Sequence, residues 1–150
     1  MKRIVLTIIL LFWVGFILFL SFQTGTDTAN TSMGLTKYIL QFFFDGEIPY
    51  NVLQQWHMTL RLWAHPLLFF LYAVLAMRLA VEIIKKNAIS FAVASVSGIA
   101  LAVFSEVGKW NIPGRHCDGG EMLLNIAGVM VGTVLTLLIQ IMWNRRKEKN

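Results

Sequence analysis

Arg61 and His65 stand four residues apart, so on a helix they share one face. Glu106 and Lys109 stand three apart, and a Pro113-Gly114-Arg115 turn is followed by Asp118, Glu121 and Asn125. Ser21 and Gln23 close an earlier apolar run. The two guanidinium groups are planar, permanently charged donors suited to a phosphate or carboxylate. Carboxylates beside them can orient those donors, while Ser21, Gln23 and Asn125 supply neutral hydrogen bonds. The same residues admit a second chemistry, with His65 and Glu106 as an acid/base pair and Arg61 and Arg115 stabilising developing negative charge. The nucleophiles available to such an enzyme are Ser105, beside Glu106, and the thiol of Cys117. A third reading is structural: Arg61, Lys109 and Arg115 neutralise Glu106, Asp118 and Glu121, and the network only holds helix ends together. No metal is expected. His116, Cys117 and Asp118 are consecutive, a poor spacing for converging ligands, which leaves His65 and the carboxylates as the only reasonable donors. GxSxG, HExxH and Walker motifs are absent, and no cofactor is expected.

The elements that must position these groups are set by the apolar runs between them. Of the 150 residues 57% are hydrophobic and only 14% charged, too little polar surface for a soluble domain of this size. The formal charge of +5 falls at the ends of apolar runs, not in a stripe, so nucleic acid is not an expected partner. The single cysteine, Cys117, excludes an internal disulfide, a zinc finger and a CxxC pair.

A membrane-spanning helix needs about 20 mostly apolar residues. Ile4 to Phe22, the stretch between Arg61 and Arg78 broken only by His65, Ala88 to Ser105, and Met122 to Trp143 each approach that length. The predicted fold is therefore all-α: one integral membrane domain over 1–150, a bundle of four transmembrane helices at about 4–22, 52–80, 88–109 and 118–144. The first run is long for a signal peptide, and SFQTG offers no small-x-small cleavage site, so it reads as a span. With the N-terminus inside, Lys2, Arg3, Arg78, Lys85, Lys86, Arg145, Arg146, Lys147 and Lys149 are cytoplasmic, against Lys37, Arg61, Lys109 and Arg115 outside. Nine against four places both termini in the cytoplasm of a cell-membrane protein. Asp27, Asp45, Glu47, Glu106, Asp118 and Glu121 then lie outside, and the RRKEKN tail reads as a stop-transfer anchor.

The longest outer loop runs from about Gln23 to Trp56. Within it NTSMGLTKYILQFFF predicts a short amphipathic helix, capped by Asp27, Thr28 or Asn30, lying on the membrane surface or over the bundle mouth. DGEIP ends it, and Pro49 is expected in the first turn of the next helix. Trp56, Trp63, Trp110 and Trp143 read as interfacial anchors.

On this topology the polar groups named above all lie at the outer ends of the spans. Ionisable groups there are costly to leave facing lipid, so they are expected to turn into one shared cavity. Asp118, Glu121, Asn125, Gly128 and Gly132 are spaced 3, 4, 3 and 4, a single inward stripe whose inner half is GxxxG. The third span carries a matching small-residue run, Ser95, Gly98, Ala102 and Ser105, so the third and fourth spans are expected to pack on each other. Pro66 is expected to kink the second span beside His65. The inner half of the bundle offers no polar path, which argues against transport.

Three blocks covering most of the chain resemble the VanZ-like family of small bacterial membrane proteins. SFQTGTDTANTS is similar to the family's Ser/Gln/Gly stretch followed by spaced small hydroxyl residues, and RLWAH to its Arg-x-x-x-His. The most specific is SEVGKWNIPGRHCDGGEMLLNIAGVMVG, where Glu106, Pro113, Gly114, Arg115, Asp118, Glu121, Asn125, Gly128 and Gly132 match the family pattern. The chain departs from that pattern at Ser105, where Asp is common, at Lys109, where Gln is common, and at Glu121, where Asp is usual. It also has Leu62 for a Lys and Leu68-Phe69 for a Glu-Tyr. The swaps at 105 and 109 alter the charge of the site.

The family takes its name from a protein associated with resistance to teicoplanin, so the resemblance implies a cell-envelope role. The leading expectation is binding of an anionic lipid head group, a lipid-linked cell-wall precursor or a lipoglycopeptide. Ser21, Gln23, Arg61, His65, Glu106, Lys109, Arg115, Asp118, Glu121 and Asn125 are the expected contacts, with acyl or prenyl chains between helices and membrane lipids as partners. The alternatives are an intramembrane enzyme using His65 and Glu106 on a lipid-linked or cell-wall substrate, and a structural membrane partner with no ligand.

Overall fold

A computed structural model describes residues 1–44 and 46–148. Asp45, counted above among the outer acidic groups, and Lys149 and Asn150 of the basic tail lie outside the described residues. Among the described residues the chain is helical, with no strand. The helices are α1 (Lys2–Ser21), α2 (Gly25–Leu40), α3 (Tyr50–Ile84), α4 (Asn87–Val107) and α5 (Gly119–Glu148), and a 3-10 turn, Gly108–Asn111, extends α4. Four of them, α1, α3, α4 and α5, are long and apolar enough to cross a membrane. At 1.5 Å per residue, the 20 residues of α1 make about 30 Å, the thickness of a hydrocarbon layer. Outward-facing Ile4, Ile8, Leu11, Phe12 and Phe19 leave that helix with an apolar exterior.

The second spanning helix is longer than the sequence suggests. α3 has 35 residues, about 52 Å, and continues unbroken through Pro66. Its first turns therefore project beyond a bilayer-sized length, and α2 covers them. His57 is buried there, with Nε2 2.7 Å from the Ser32 hydroxyl of α2. The expected caps of α2 are corrected: Thr24, not Asp27, Thr28 or Asn30, is the N-cap, its Oγ1 accepting from the Asp27 N–H at 3.2 Å and donating to the Asp27 carboxylate at 2.6 Å. The helix starts this early because Gly25 is pinned, its N–H donating to the Pro113 carbonyl at 3.2 Å. Pro49 likewise stands at the N-cap of α3, one residue before its first turn.

α3 is the hub, packed against α1, α2, α4 and α5. Its Phe69, Tyr72, Ala73, Ala76 and Met77 join Ile17, Ala94, Ala102 and Val129 in the core. The expected partner of the GxxxG pair is corrected. A Cβ on Gly128 would run into the Pro66 carbonyl oxygen, and one on Gly132 would meet the Phe70 carbonyl oxygen at 2.7 Å and the Ala73 methyl at 2.8 Å. The pair thus seats α5 on α3, not on α4, because the bare backbone of α5 fits against the carbonyl ridge of α3. The small-residue run of α4 does face α5: the Val129 side chain fills the space above Gly98, and the Ser95 hydroxyl donates to Thr133 Oγ1 at 3.4 Å.

Candidate functional site

At the end of the bundle where α3 begins and α4 ends, charged groups from three helices meet. Glu106 leaves the last turn of α4 and Lys109 the 3-10 turn that follows it, and Glu121 and Asn125 stand one turn apart at the start of α5. Lys109 Nζ donates to Glu106 Oε1 at 2.5 Å and to Glu121 Oε2 at 2.8 Å. Arg61 donates to the other oxygen of Glu121 at 3.2 Å, and His65 Nε2 lies 3.5 Å from Glu121 Oε2. Asn125 Nδ2 donates to Glu106 Oε1 at 3.4 Å. Glu106, Lys109 and Asn125 are sealed from solvent, at 0%, 1% and 0% exposure, whereas Glu121, His65 and Arg61 line open space. Two cations and two carboxylates compensate each other in this inner layer, which is the condition for burying charge at all. Glu106 Oε2 and Asn125 Oδ1 are buried without a partner.

Above this layer lies a cleft of about 160 Å³ between α1, α2 and α3. Ile17, Leu20, Leu35, Leu68 and Phe69 make it apolar, and Arg61, His65 and Arg115 supply its charged wall. Ser21, Gln23, Thr28, Thr31 and Ser32 ring it with hydrogen-bonding groups. Arg61 and Arg115 also line a smaller cleft with Gly25, Asp118 and Glu121, so the two guanidinium groups stand between the two openings.

Arg115 is held by backbone docking. Gly114 takes φ +73°, and a Cβ on Gly25 would run into the Gly114 carbonyl, so the Pro-Gly-Arg turn and the start of α2 meet without side chains between them. That contact brings the Arg115 guanidinium to the Thr28 hydroxyl at 2.8 Å. Among the described residues no carboxylate pairs with it. Burial, and next the neighbouring Arg61 guanidinium, hold the Arg115 pKa below the ordinary arginine value. It is a cation short of a counter-ion.

Arg61, His65, Glu106, Lys109, Glu121 and Asn125 are thus brought into one connected group, and Ser21, Gln23 and Arg115 onto the walls of the adjoining cleft. Asp118 lines the smaller cleft but makes no ion pair with this group. Its carboxylate caps α5, accepting from the Gly120 and Glu121 N–H groups at 2.7 and 3.3 Å, so it precedes the helical stripe it was expected to extend. Nor is the three-against-three neutralisation found: Glu121 serves both Arg61 and Lys109, while Arg115 and Asp118 stand apart from that pairing. For acid/base chemistry, His65 has two carboxylates near it: Glu121 Oε2 at 3.5 Å, and Glu106, within 4.8 Å but sealed from solvent and bonded to Lys109 and Asn125. Ser105 Oγ donates to the Ala102 carbonyl at 2.9 Å, and Cys117 is exposed. One donor atom each from His65, Glu106 and Glu121 lies within 4.8 Å of the others, and the Lys109 ammonium sits on both carboxylates. The hydroxyl face of α2, Thr28, Thr31 and Ser32, also lines the cleft, at a spacing of three and four legible in TDTANTS but outside the expected contacts.

A helical bundle with four membrane-length helices and its buried ion pairs gathered at one end is a small polytopic membrane protein. The chain matches the VanZ/LLP1 family model over residues 6–140 and belongs to that family. No curated protein and no solved structure matches it.

Proposed function

We propose that the chain binds an anionic, lipid-linked ligand of the cell envelope, with its head-group phosphate on Arg61 and Arg115 and the start of its hydrocarbon chain in the cleft between α1, α2 and α3. The observation that carries this reading is Arg115 itself: a partly buried guanidinium, bonded to one neutral hydroxyl, on the wall of an apolar cleft. A desolvated cation facing apolar walls is stabilised by an anion that brings its own hydrocarbon. A cleft of about 160 Å³ suits a phosphate and the first carbons of a chain, the rest lying in the bilayer. Ser21, Gln23, Thr28 and Ser32 add neutral donors around the head group. Glu121 orients Arg61, and Glu106, Lys109 and Asn125 form the floor that fixes Glu121. The excess of Lys and Arg at the other end of the bundle supports placing this cleft on the outer side of the cell membrane, with both termini cytoplasmic. There it would meet lipid-linked cell-wall precursors or a lipoglycopeptide such as teicoplanin.

The test is a binding isotherm of a short-chain polyprenyl diphosphate with the purified chain in detergent. Arg115→Ala is expected to weaken binding at least about tenfold, the loss of a charge-assisted contact, with an unchanged melting temperature. Wild-type affinity in that variant overturns the reading. A ligand-free structural role is favoured by one observation, the self-compensation of Lys109, Glu106, Glu121 and Arg61. Under that reading Arg115→Ala leaves cellular function intact. The enzymatic alternative rests on the His65–Glu121 contact and requires a changed lipid species after incubation with the chain.

A further inference from the structure

The opposite end of the bundle carries a second cleft, of about 470 Å³, between α1, α3 and α5. Its charged lining is Lys2 of α1, Arg78 and Glu82 of α3 and Lys147 of α5, with Trp143 beside them. Three cations against one carboxylate leave a surplus of two. Glu82 is taken by Lys2 at 3.6 Å, and among the described side chains no carboxylate pairs with Arg78 or Lys147. Lys147 instead lies 5.8 Å from the centre of the Trp143 ring, a cation–π distance.

The depth of Arg78 gives this cleft its chemistry. The Lys2–Glu82 pair sets the start of α1 level with Glu82, and Arg78 stands about one helical turn, ~5.4 Å, further into the bundle. Because α1 is about as long as the hydrocarbon layer is thick, the Arg78 backbone lies at or just inside the acyl-chain boundary. A cation at that depth is stabilised by an anion in the same plane. The cleft walls, Leu6, Val81 and Ile139, are apolar, so the anion should bring a hydrocarbon tail. We infer that this cleft is a binding site for an anionic phospholipid, its phosphate diester held by Arg78, Lys2 and Lys147, its glycerol region against Trp143 and its acyl chain between α1 and α5. The site shares no residue with the Arg61–Arg115 cleft and stands or falls separately from it.

The experiment is native mass spectrometry of the full chain released from micelles in which phosphatidylglycerol is titrated against phosphatidylcholine. An Arg115→Ala background silences the other cleft. One phosphatidylglycerol is expected to stay bound in that background, and Arg78→Gln with Lys147→Gln is expected to weaken it at least tenfold with an unchanged melting temperature. Both side chains are exposed, and the contact these substitutions remove is the approach of Lys147 to the exposed Trp143 ring, which adds little to stability at such a site. Equal retention of phosphatidylcholine, undiminished phosphatidylglycerol binding in the double variant, or displacement by inorganic phosphate at the same concentration as the lipid each overturns the inference. The last result would assign a soluble phosphate instead.

Discussion

Lys109→Met replaces the buried ammonium with an apolar side chain of similar length and leaves two carboxylates without their shared donor. Lys109 is 1% exposed and donates at 2.5 Å to Glu106 and 2.8 Å to Glu121. Glu121 keeps Arg61 and partial access to solvent, so it tolerates the loss. Glu106 does not: it is wholly buried, one of its oxygens already lacks a partner, and only the Asn125 amide at 3.4 Å remains. Breaking a buried pair by deleting one partner costs about 3–5 kcal/mol. At about 2–4 °C per kcal/mol for a chain of this size, the melting temperature in detergent should fall by about 6–20 °C. Adding Glu106→Gln removes the stranded charge and should recover more than half of the loss, a coupling that scanning fluorimetry with the intrinsic tryptophans resolves. A Lys109→Met variant that melts within 1 °C of wild type would refute the idea that this ammonium sustains the floor of the cleft.

Four further outcomes follow. Gly128→Val should drive a side chain into the Pro66 carbonyl and destabilise the α3–α5 seam by about 1–3 kcal/mol, whereas Gly15→Ala, with open space around it, should leave the melting temperature unchanged. Thr28→Val removes the hydrogen bond that positions the Arg115 guanidinium and should weaken polyprenyl diphosphate binding several-fold, with no change in melting temperature. Ser32→Ala breaks the tie to His57 at a cost of about 1 kcal/mol, visible as faster hydrogen exchange confined to α2. Cys117, exposed in the loop before α5, should react with a membrane-impermeant maleimide added outside intact cells, while Arg146→Cys in a Cys117→Ser background should not. The reverse labelling pattern would invert the proposed orientation.

The four long helices are legible because each apolar run is long and its ends carry charge; no packing detail is needed to see them. The meeting of Arg61, His65, Glu121 and Asn125 is legible for a related reason, since i,i+4 spacing and confinement to one end of the spans leave those side chains few other directions. Which neighbour a face meets is not encoded so locally. Gly128 and Gly132 announce a close approach, but the ridge they meet is the backbone of Pro66 and Phe70, and no small-residue pattern marks it. Asp118 continues the spacing of the stripe, yet the weak helix formers Gly119 and Gly120 delay the helix until after it, so Asp118 caps α5 at the rim of the smaller cleft and does not extend the helical stripe. The hydroxyl face of α2 is half visible in the sequence: the helix is expected from Asn30, whereas Thr24 and the docking of Gly25 on the Pro113–Gly114 turn start it earlier and bring Thr28 onto the face of Thr31 and Ser32. Burial depth is the remaining gap. Glu106 and Glu121 look equivalent as sequence, and only packing seals one and opens the other.

The central claim is that Arg61 and Arg115 receive the anionic head of a lipid whose chain enters between α1, α2 and α3. Photo-crosslinking answers it directly, with a polyprenyl diphosphate carrying a diazirine on the first isoprene unit, added to the chain in bilayers and mapped by peptide mass spectrometry. Label on Leu20, Leu35, Leu68 or Phe69, lost on Arg115→Ala, is the result expected. Label spread over the outer faces of α4 and α5, or unchanged by that substitution, would contradict it.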